Sequence, residues 1–285
     1  MMPKNSLSKI IGLGFLLSVL LCVTGLFLRS AGEKDNTTTE KTGVVATTSL
    51  IGSIVENIGK GRVNVTTIVP AGMCPGHLDI KPEEIKNIQD AGVVIVHGWE
   101  RWIEKLIKSS KNRLPVRTVG IEENWMIPDV QIRAAEEIAG ILTAANPDEK
   151  KWYQENLADY EGEVRTLTTK IEKIKKGSDN VKIICSSQQE GFLKWLGFKI
   201  VASYGRPEEL SPGEIMGLIE EARDKNVTLV VDNLQSGADA GKSIAKEIGA
   251  KHITLTNFPL GDSSYTDALK ENINKIGEAL GWQKL

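Results

Sequence analysis

Residues 146–176 read NPDEKKWYQENLADYEGEVRTLTTKIEKIKK. Asn146 is a capping residue, and Pro147 suits the first helical position, where its missing N–H costs nothing. Trp152, Leu157, Tyr160, Val164, Leu167, Ile171 and Ile174 then recur at helical spacing. They form an amphipathic stripe along one helix, expected over Asp148–Lys176. Roughly 29 residues at about 1.5 Å each give a rod about 43 Å long, enough to cross a whole domain. Gly177-Ser178-Asp179 ends it.

On both sides of this rod, short β-branched runs alternate with helical periods. Before it, strands are expected at Val44–Thr48, Val63–Val69, Val93–His97 and Val116–Ile121. The helices there are Leu50–Gly59, Pro82–Ala91, Glu100–Ser109 and Asp129–Ala145. After it, strands are expected at Val181–Cys185, Phe198–Ser203, Val227–Asp232 and His252–Thr256. The helices there are Glu190–Leu196, Ser211–Lys225, Ala238–Ile248 and Ser264–Leu280. Such alternation predicts parallel strands with crossover helices. The expected fold class is α/β: two lobes of mostly parallel sheet flanked by helices, bridged by one long backbone helix. The divisions are 1–43, a signal or membrane anchor with a polar linker; 44–146, an N-terminal lobe; 147–177, the bridging helix; and 178–285, a C-terminal lobe.

The 285 residues are 25% charged and 41% hydrophobic, which argues against wholesale disorder and against a polytopic membrane protein. Lys+Arg is 35 and Asp+Glu is 37, so there is no basic field for general nucleic-acid binding. Three Cys and three His exclude a disulfide framework and a zinc-finger array. Without residues 1–43 the remainder is mildly acidic, which suits a cationic or neutral ligand better than a phosphate-rich one.

Lys4 and Lys9 precede an uncharged apolar run, Ile10–Leu28, which Arg29 and a polar stretch follow. A basic flank before an apolar core reads as an export signal. The run is long for a cleaved signal and its length also suits a membrane anchor. The positive flank keeps the N-terminus inside and sends the rest outside. Cys22 is a poor lipidation site because Leu21, not a small residue, precedes it. The expected location is extracytoplasmic: exported, and anchored to the outer face of the cell membrane or periplasmic.

In open α/β sheets, ligands sit beyond the carboxyl ends of the strands. The sharpest motif there is Cys74-Pro75-Gly76-His77. Cys and His three apart on a Pro/Gly turn can face one ion, and thiolate with imidazole is zinc-like chemistry. Cys185 ends a strand of the second lobe, as a further ligand or as a small buried hydrophobe. A Cys74–Cys185 disulfide is a third alternative, since an exported chain meets oxidising surroundings. Glu123 and Asp232 are the candidate carboxylates, with a loop charge or a helix cap as the plain reading of each. His97 and His252 read as structural, the latter on the wrong side for the cleft. Trp99, Trp102 and Trp125 read as packing residues that can also line a cleft. No GxSxG elbow, HExxH motif or P-loop is present, so nothing points to an enzyme.

Several segments in order resemble one family. VVATTSLIGSIVENIGKGRVNVTTIVPAG (44–72), HLDIKPEEIKNIQDAGVVIVHG (77–98), NPDEKKWYQENLADYEGEVRTL (146–167) and LSPGEIMGLIEEARDKNVTLVVDNLQS (210–236) carry the likeness, with the loop Pro259-Leu260-Gly261. They are similar to the metal-binding solute receptors of zinc/manganese ABC transporters, the TroA/ZnuA-like superfamily. The resemblance implies an ion held between two lobes and delivered to a membrane permease driven by a cytoplasmic ATPase. It implies a binding protein with no organic cofactor, whose cargo is a transition metal ion. The ligand slots depart from the family's pattern. Its first His falls near Gly76, with His77 one residue on. Its second falls near Glu123, its third ligand near Ser186 beside Cys185, and its last carboxylate at Asn257 or Phe258. The expected site is therefore a rebuilt one, Cys74, His77 and Cys185, with Glu123, Glu190 or Asp232 supplying a carboxylate or with none, favouring zinc. The chain is expected to be a monomer that meets the membrane through its N-terminal segment. A metal chelate or other organic ligand, or an adhesion module with a degenerate site, are the alternatives.

Overall fold

The computed structural model describes residues 41–73, 86, 88, 90–100, 102–103, 115–175, 177–283 and 285. The expected helices Pro82–Ala91 and Glu100–Ser109 fall largely outside these residues. So do the apolar run at 10–28, Cys22, Cys74 and His77.

Eight strands are described: β1 (Thr42–Ala46), β2 (Val63–Thr67), β3 (Val93–Val96), β4 (Val116–Thr118), β5 (Lys182–Ser186), β6 (Lys199–Tyr204), β7 (Leu229–Asn233) and β8 (Lys251–Leu255). They form two four-stranded sheets, ordered β2-β1-β3-β4 and β6-β5-β7-β8. Every pairing is parallel. The two orders are the same. In each sheet the chain runs outward from its first strand and then reverses direction at the third, so the switch points lie between β1 and β3 and between β5 and β7. Parallel strands buried on both faces require apolar runs, and Val93–Val96 is buried throughout.

The labelled helices are α1 (Ser49–Gly59), α2 (Pro128–Ala145), α3 (Lys150–Ile174), α4 (Glu190–Trp195), α5 (Pro212–Lys225), α6 (Lys242–Ile248) and α7 (Tyr265–Leu280). Their starts follow the local signals. Ser211 and Glu214 cap each other's backbone ahead of Pro212, and Ser264 and Asp267 do the same at α7. Helix α3 is the expected rod, 25 residues long after a 3-10 turn at Pro147–Glu149. Its buried stripe begins at Tyr153, not at Trp152. The run Tyr153, Leu157, Tyr160, Val164, Leu167, Ile171 alternates spacings of four and three, which keeps one face inward. Trp152 stays at the rim, where its indole N–H donates to the Gly59 carbonyl at 3.1 Å.

This stripe packs against α1, α2 and α7. One hydrophobic core runs from Val44 and Ile95 of the first sheet, through Tyr160 and Val164 of α3, to Ile183 and Val231 of the second. Each apolar side chain so buried contributes about 1.5–3 kcal/mol. Exposed ion pairs along the same helix, such as Lys151–Glu155 at 3.7 Å, add far less. Smaller cores close the outer faces, with Val45 and Val94 in one lobe and Ile184 and Val230 in the other. Successive strand residues thus alternate between the central core and the outer layer.

Candidate functional site

The carboxyl ends of β1 and β3 present Thr47, Thr48, His97 and Glu100, all buried. The Glu100 carboxyl group accepts from three donors. The Thr47 hydroxyl donates to Oε1 at 2.6 Å, the His97 backbone N–H to Oε1 at 3.0 Å, and the Gly98 N–H to Oε2 at 2.8 Å. Gly98 makes this turn possible: its φ is +105°, and a Cβ there would lie 2.7 Å from the Thr118 methyl. The His97 ring does not meet that carboxylate in a hydrogen bond. Its Nε2 pairs with the Thr48 hydroxyl at 2.9 Å. Trp99 stacks on it at 5.2 Å and Trp125 meets it edge-on at 4.3 Å. Burial disfavours the imidazolium and lowers the His97 pKa to about 4, against an opposing pull from Glu100.

The carboxyl ends of β5 and β7 and the loop after β8 present amides. Gln189 Nε2 donates to Asn233 Oδ1 at 2.9 Å and to Asn257 Oδ1 at 3.1 Å. Asn257 Nδ2 donates to the Gln188 carbonyl at 2.9 Å, and the Asn257 N–H to Gln235 Oε1 at 3.1 Å. Asn124, from the first lobe, closes the belt by donating to the Gln188 carbonyl at 2.8 Å and to Asn257 Oδ1 at 3.3 Å. Two more bonds tie the lobes together, Ser49 Oγ to the Pro259 carbonyl at 2.9 Å and Tyr265 OH to the Met126 carbonyl at 3.0 Å.

Between these two strand-end clusters lies a cleft of about 790 Å³. Its walls include His97, Trp99, Glu100, Glu123, Arg206 and Asn257. It stands where the sheet topology puts ligand sites, with one switch point from each lobe. Such a cleft binds and encloses; among the described residues its amides and hydroxyls offer directional hydrogen bonds.

Of the sequence-derived ligands, Glu123 alone is found in the cleft wall among the described residues. Its carboxylate is exposed and paired with Arg133 at 2.5 Å. Cys185 faces the central core beside Ile183, a free and fully buried thiol. Burial pushes its pKa up to about 12, so the thiolate a metal needs is disfavoured. Asp232 is turned to the outer layer of its sheet. Its carboxylate accepts from Tyr204 OH at 2.5 Å and from the Gly241 N–H at 3.0 Å, and pairs with His252 Nε2 at 2.6 Å. Gly241 is required for this approach, since a Cβ would collide with the Tyr204 hydroxyl. Cys185 lies opposite Val231 in register, so strand alternation sends Cys185 and Asp232 to opposite faces of one sheet. They do not converge. Among the described residues, no group of three His, Cys, Asp or Glu is placed to hold a metal ion.

His252 is structural, as its place at the start of a strand suggests. His97 is buried and hydrogen-bonded, and it also lines the cleft. The amide belt and Glu100 are what the motif reading missed. The signal for them was position: each follows the carboxyl end of a strand.

The comparisons with known proteins agree with this architecture. A family model described as the zinc-uptake complex component A, periplasmic, matches residues 44–279. The manganese ABC transporter substrate-binding lipoprotein PsaA of Streptococcus anginosus is 26% identical over 318 residues, covering 94% of this chain and 98% of that one. A crystal structure of ZnuA superposes with a TM-score of 0.74 at 23% identity, covering 84% of this chain and 99% of the other. The manganese-bound periplasmic metal-binding protein of Candidatus Liberibacter asiaticus gives 0.73 at 24% identity, covering 84% and 100%. Two parallel sheets bridged by one long helix, with the match running from β1 through α7, place this chain in the ZnuA family, the extracytoplasmic metal-binding substrate receptors of ABC transporters, which are binding proteins and not enzymes.

Proposed function

We propose that this chain captures a transition-metal cargo in the cleft between its lobes and delivers it to an ABC permease driven by a cytoplasmic ATPase. The observation that carries the reading is the cleft itself, built from the strand ends of both lobes at equivalent switch points. The chain works outside the cell membrane, held there through its N-terminal segment, as a monomer. Cys74 and His77 remain the soft donor pair on the loop after β2, and their chemistry favours zinc. Manganese is the ion in the relative's name, so the two are the metals to compare.

The test is elemental analysis of the full chain, purified in detergent without chelator or affinity-tag metal, beside Cys74→Ser and Asp232→Asn. About one equivalent of transition metal per chain is expected, with most of it lost in Cys74→Ser and none in Asp232→Asn. A chain that takes up no metal even after reduction and reloading overturns the reading. Metal retained in Cys74→Ser discards that ligand and keeps the function.

A further inference from the structure

Three stretches of the chain read Asn-x-Thr with x other than proline: Asn36-Thr37-Thr38, Asn64-Val65-Thr66 and Asn226-Val227-Thr228. This tripeptide is the acceptor for N-linked glycosylation of exported chains. Chance also produces it, so the surroundings of each asparagine decide. The first stretch lies outside the described residues.

Exposure is the first observation. In both remaining stretches the asparagine and the threonine are exposed, and the valine between them is turned inward. On β2, strand alternation sends Asn64 and Thr66 to one side. This strand is also an edge of its sheet. Asn226 closes α5 in the left-handed region, with φ +56°, and so stands on a surface turn. A transferase that must reach an amide and the hydroxyl two residues on finds both open.

Hydrogen bonding is the second. Every other asparagine among the described residues has its carboxamide bonded to the protein. Asn57 donates to the Ser53 carbonyl at 2.7 Å and Asn156 to the Ile58 carbonyl at 2.9 Å. Among the described residues, the carboxamides of Asn64 and Asn226 alone make no such bond. The two amides that hold nothing in the fold are therefore the two that stand in the acceptor tripeptide. Asparagine is also a poor strand former, and Asn64 has no side-chain hydrogen bond to set against that.

Placement is the third. Asn64 is the second residue of β2, and Asn226 precedes β7 by three residues. All strands are parallel within their sheets, so both asparagines lie at the amino ends of strands. The cleft lies beyond the carboxyl ends.

We propose that Asn64 and Asn226 are N-glycosylation sites, each carrying an oligosaccharide on the face of its lobe opposite the cleft. The donor is an oligosaccharide joined through C1 to a polyprenyl phosphate. Asparagine Nδ2 bonds to C1 and the C1–O bond breaks. The polyprenyl phosphate leaves with the electron pair, and Nδ2 gives up one proton to the transferase. Neither sugar stands in the path of a cargo entering between the lobes, so the assignment is independent of which ion the cleft takes.

The test uses the full chain, extracted in detergent from the membranes of the cells that naturally make it, digested and read by peptide mass spectrometry. Thr66→Ala, Thr228→Ala, Thr66→Ser and Thr228→Ser are made in the same cells. The peptides holding Asn64 and Asn226 are expected to carry the added mass of an oligosaccharide. Each alanine variant loses that mass at its own site and keeps it at the other, and the retained sugar is the internal control for export and folding. Each serine variant keeps both, since serine supplies the same hydroxyl. Both asparagines bare in the parent chain overturn the proposal, and one bare asparagine strikes that site. Sugar that persists at Asn64 in Thr66→Ala, or at Asn226 in Thr228→Ala, also overturns it.

Discussion

Each lobe buries an acid close to a histidine, and the two pairs are built on opposite principles. In the first lobe, Glu100 turns away from the His97 ring and is satisfied by a hydroxyl and two backbone N–H groups. The ring faces a neutral hydroxyl and two tryptophans, and stays uncharged. In the second lobe, Asp232 meets His252 directly and adds Tyr204 and Gly241. The first pair lines the cleft and the second lies in the outer layer, although the sheets share one topology. The difference teaches that strand parity, more than residue type, decides what a strand-end acid can do. Asp232 points outward because the next residue, Asn233, points to the cleft.

The largest effect expected from breaking this contrast is in Asp232→Ala. It leaves Tyr204 OH, the Gly241 N–H and His252 without their partner at a position where the Asp232 carboxylate is fully buried. Losing one side of such a buried network costs about 3–5 kcal/mol. Denaturant unfolding is expected to show that loss while metal content stays at the level of the parent. A stability change under about 1 kcal/mol breaks the assignment of Asp232 to the structural network.

A smaller effect is expected from acid acting on His97. An unfolded histidine takes up a proton below about pH 6.5, whereas the native ring resists until about pH 4. The unfolded state therefore binds the extra proton in that window. Stability is intact above about pH 6.5 and falls as the pH drops toward 4, by about 3 kcal/mol in total. Unfolding free energies measured at intervals across the window are expected to slope accordingly, and His97→Gln to flatten the slope by close to one proton. An unchanged slope in that variant removes His97 from the account.

The smallest effect concerns the amide belt. Asn257→Ala deletes the acceptor of Gln189 and Asn124 and the donor to Gln188. The belt is half-buried, so a loss of about 1–2 kcal/mol is expected in thermal or denaturant unfolding. An Asn257→Asp variant keeps the acceptor and loses the donor, and is expected to fall between the parent and the alanine variant.

The α/β class, the eight strands and the bridging helix were legible because each depends on periodicity, which is a local property. Tyr153 shows the limit of that reading. The larger Trp152 drew the stripe one residue early, and only the four-three rhythm from Tyr153 keeps the face inward. The site was less legible. Cys185 and Asp232 stand at strand ends, where ligands are sought, yet which face each takes depends on register with neighbouring strands. Alternation fixes that they differ once the pairing of Cys185 with Val231 is known. The amide belt carries no motif at all. Asn124, Gln189 and Asn257 are far apart in the chain and acquire meaning only where the lobes meet.

The continuous core along α3 has a thermodynamic consequence. Two lobes joined by a flexible linker would melt in two steps, each with its own midpoint. Here Tyr160 and Val164 belong to the same buried cluster as the sheets on either side, and Tyr265 reaches across to Met126. Neither lobe keeps its interior dry without the rod, so loss of one exposes the other. The pair therefore shares a single cooperative unit of folding, and a substitution deep in either lobe lowers the melting temperature of both.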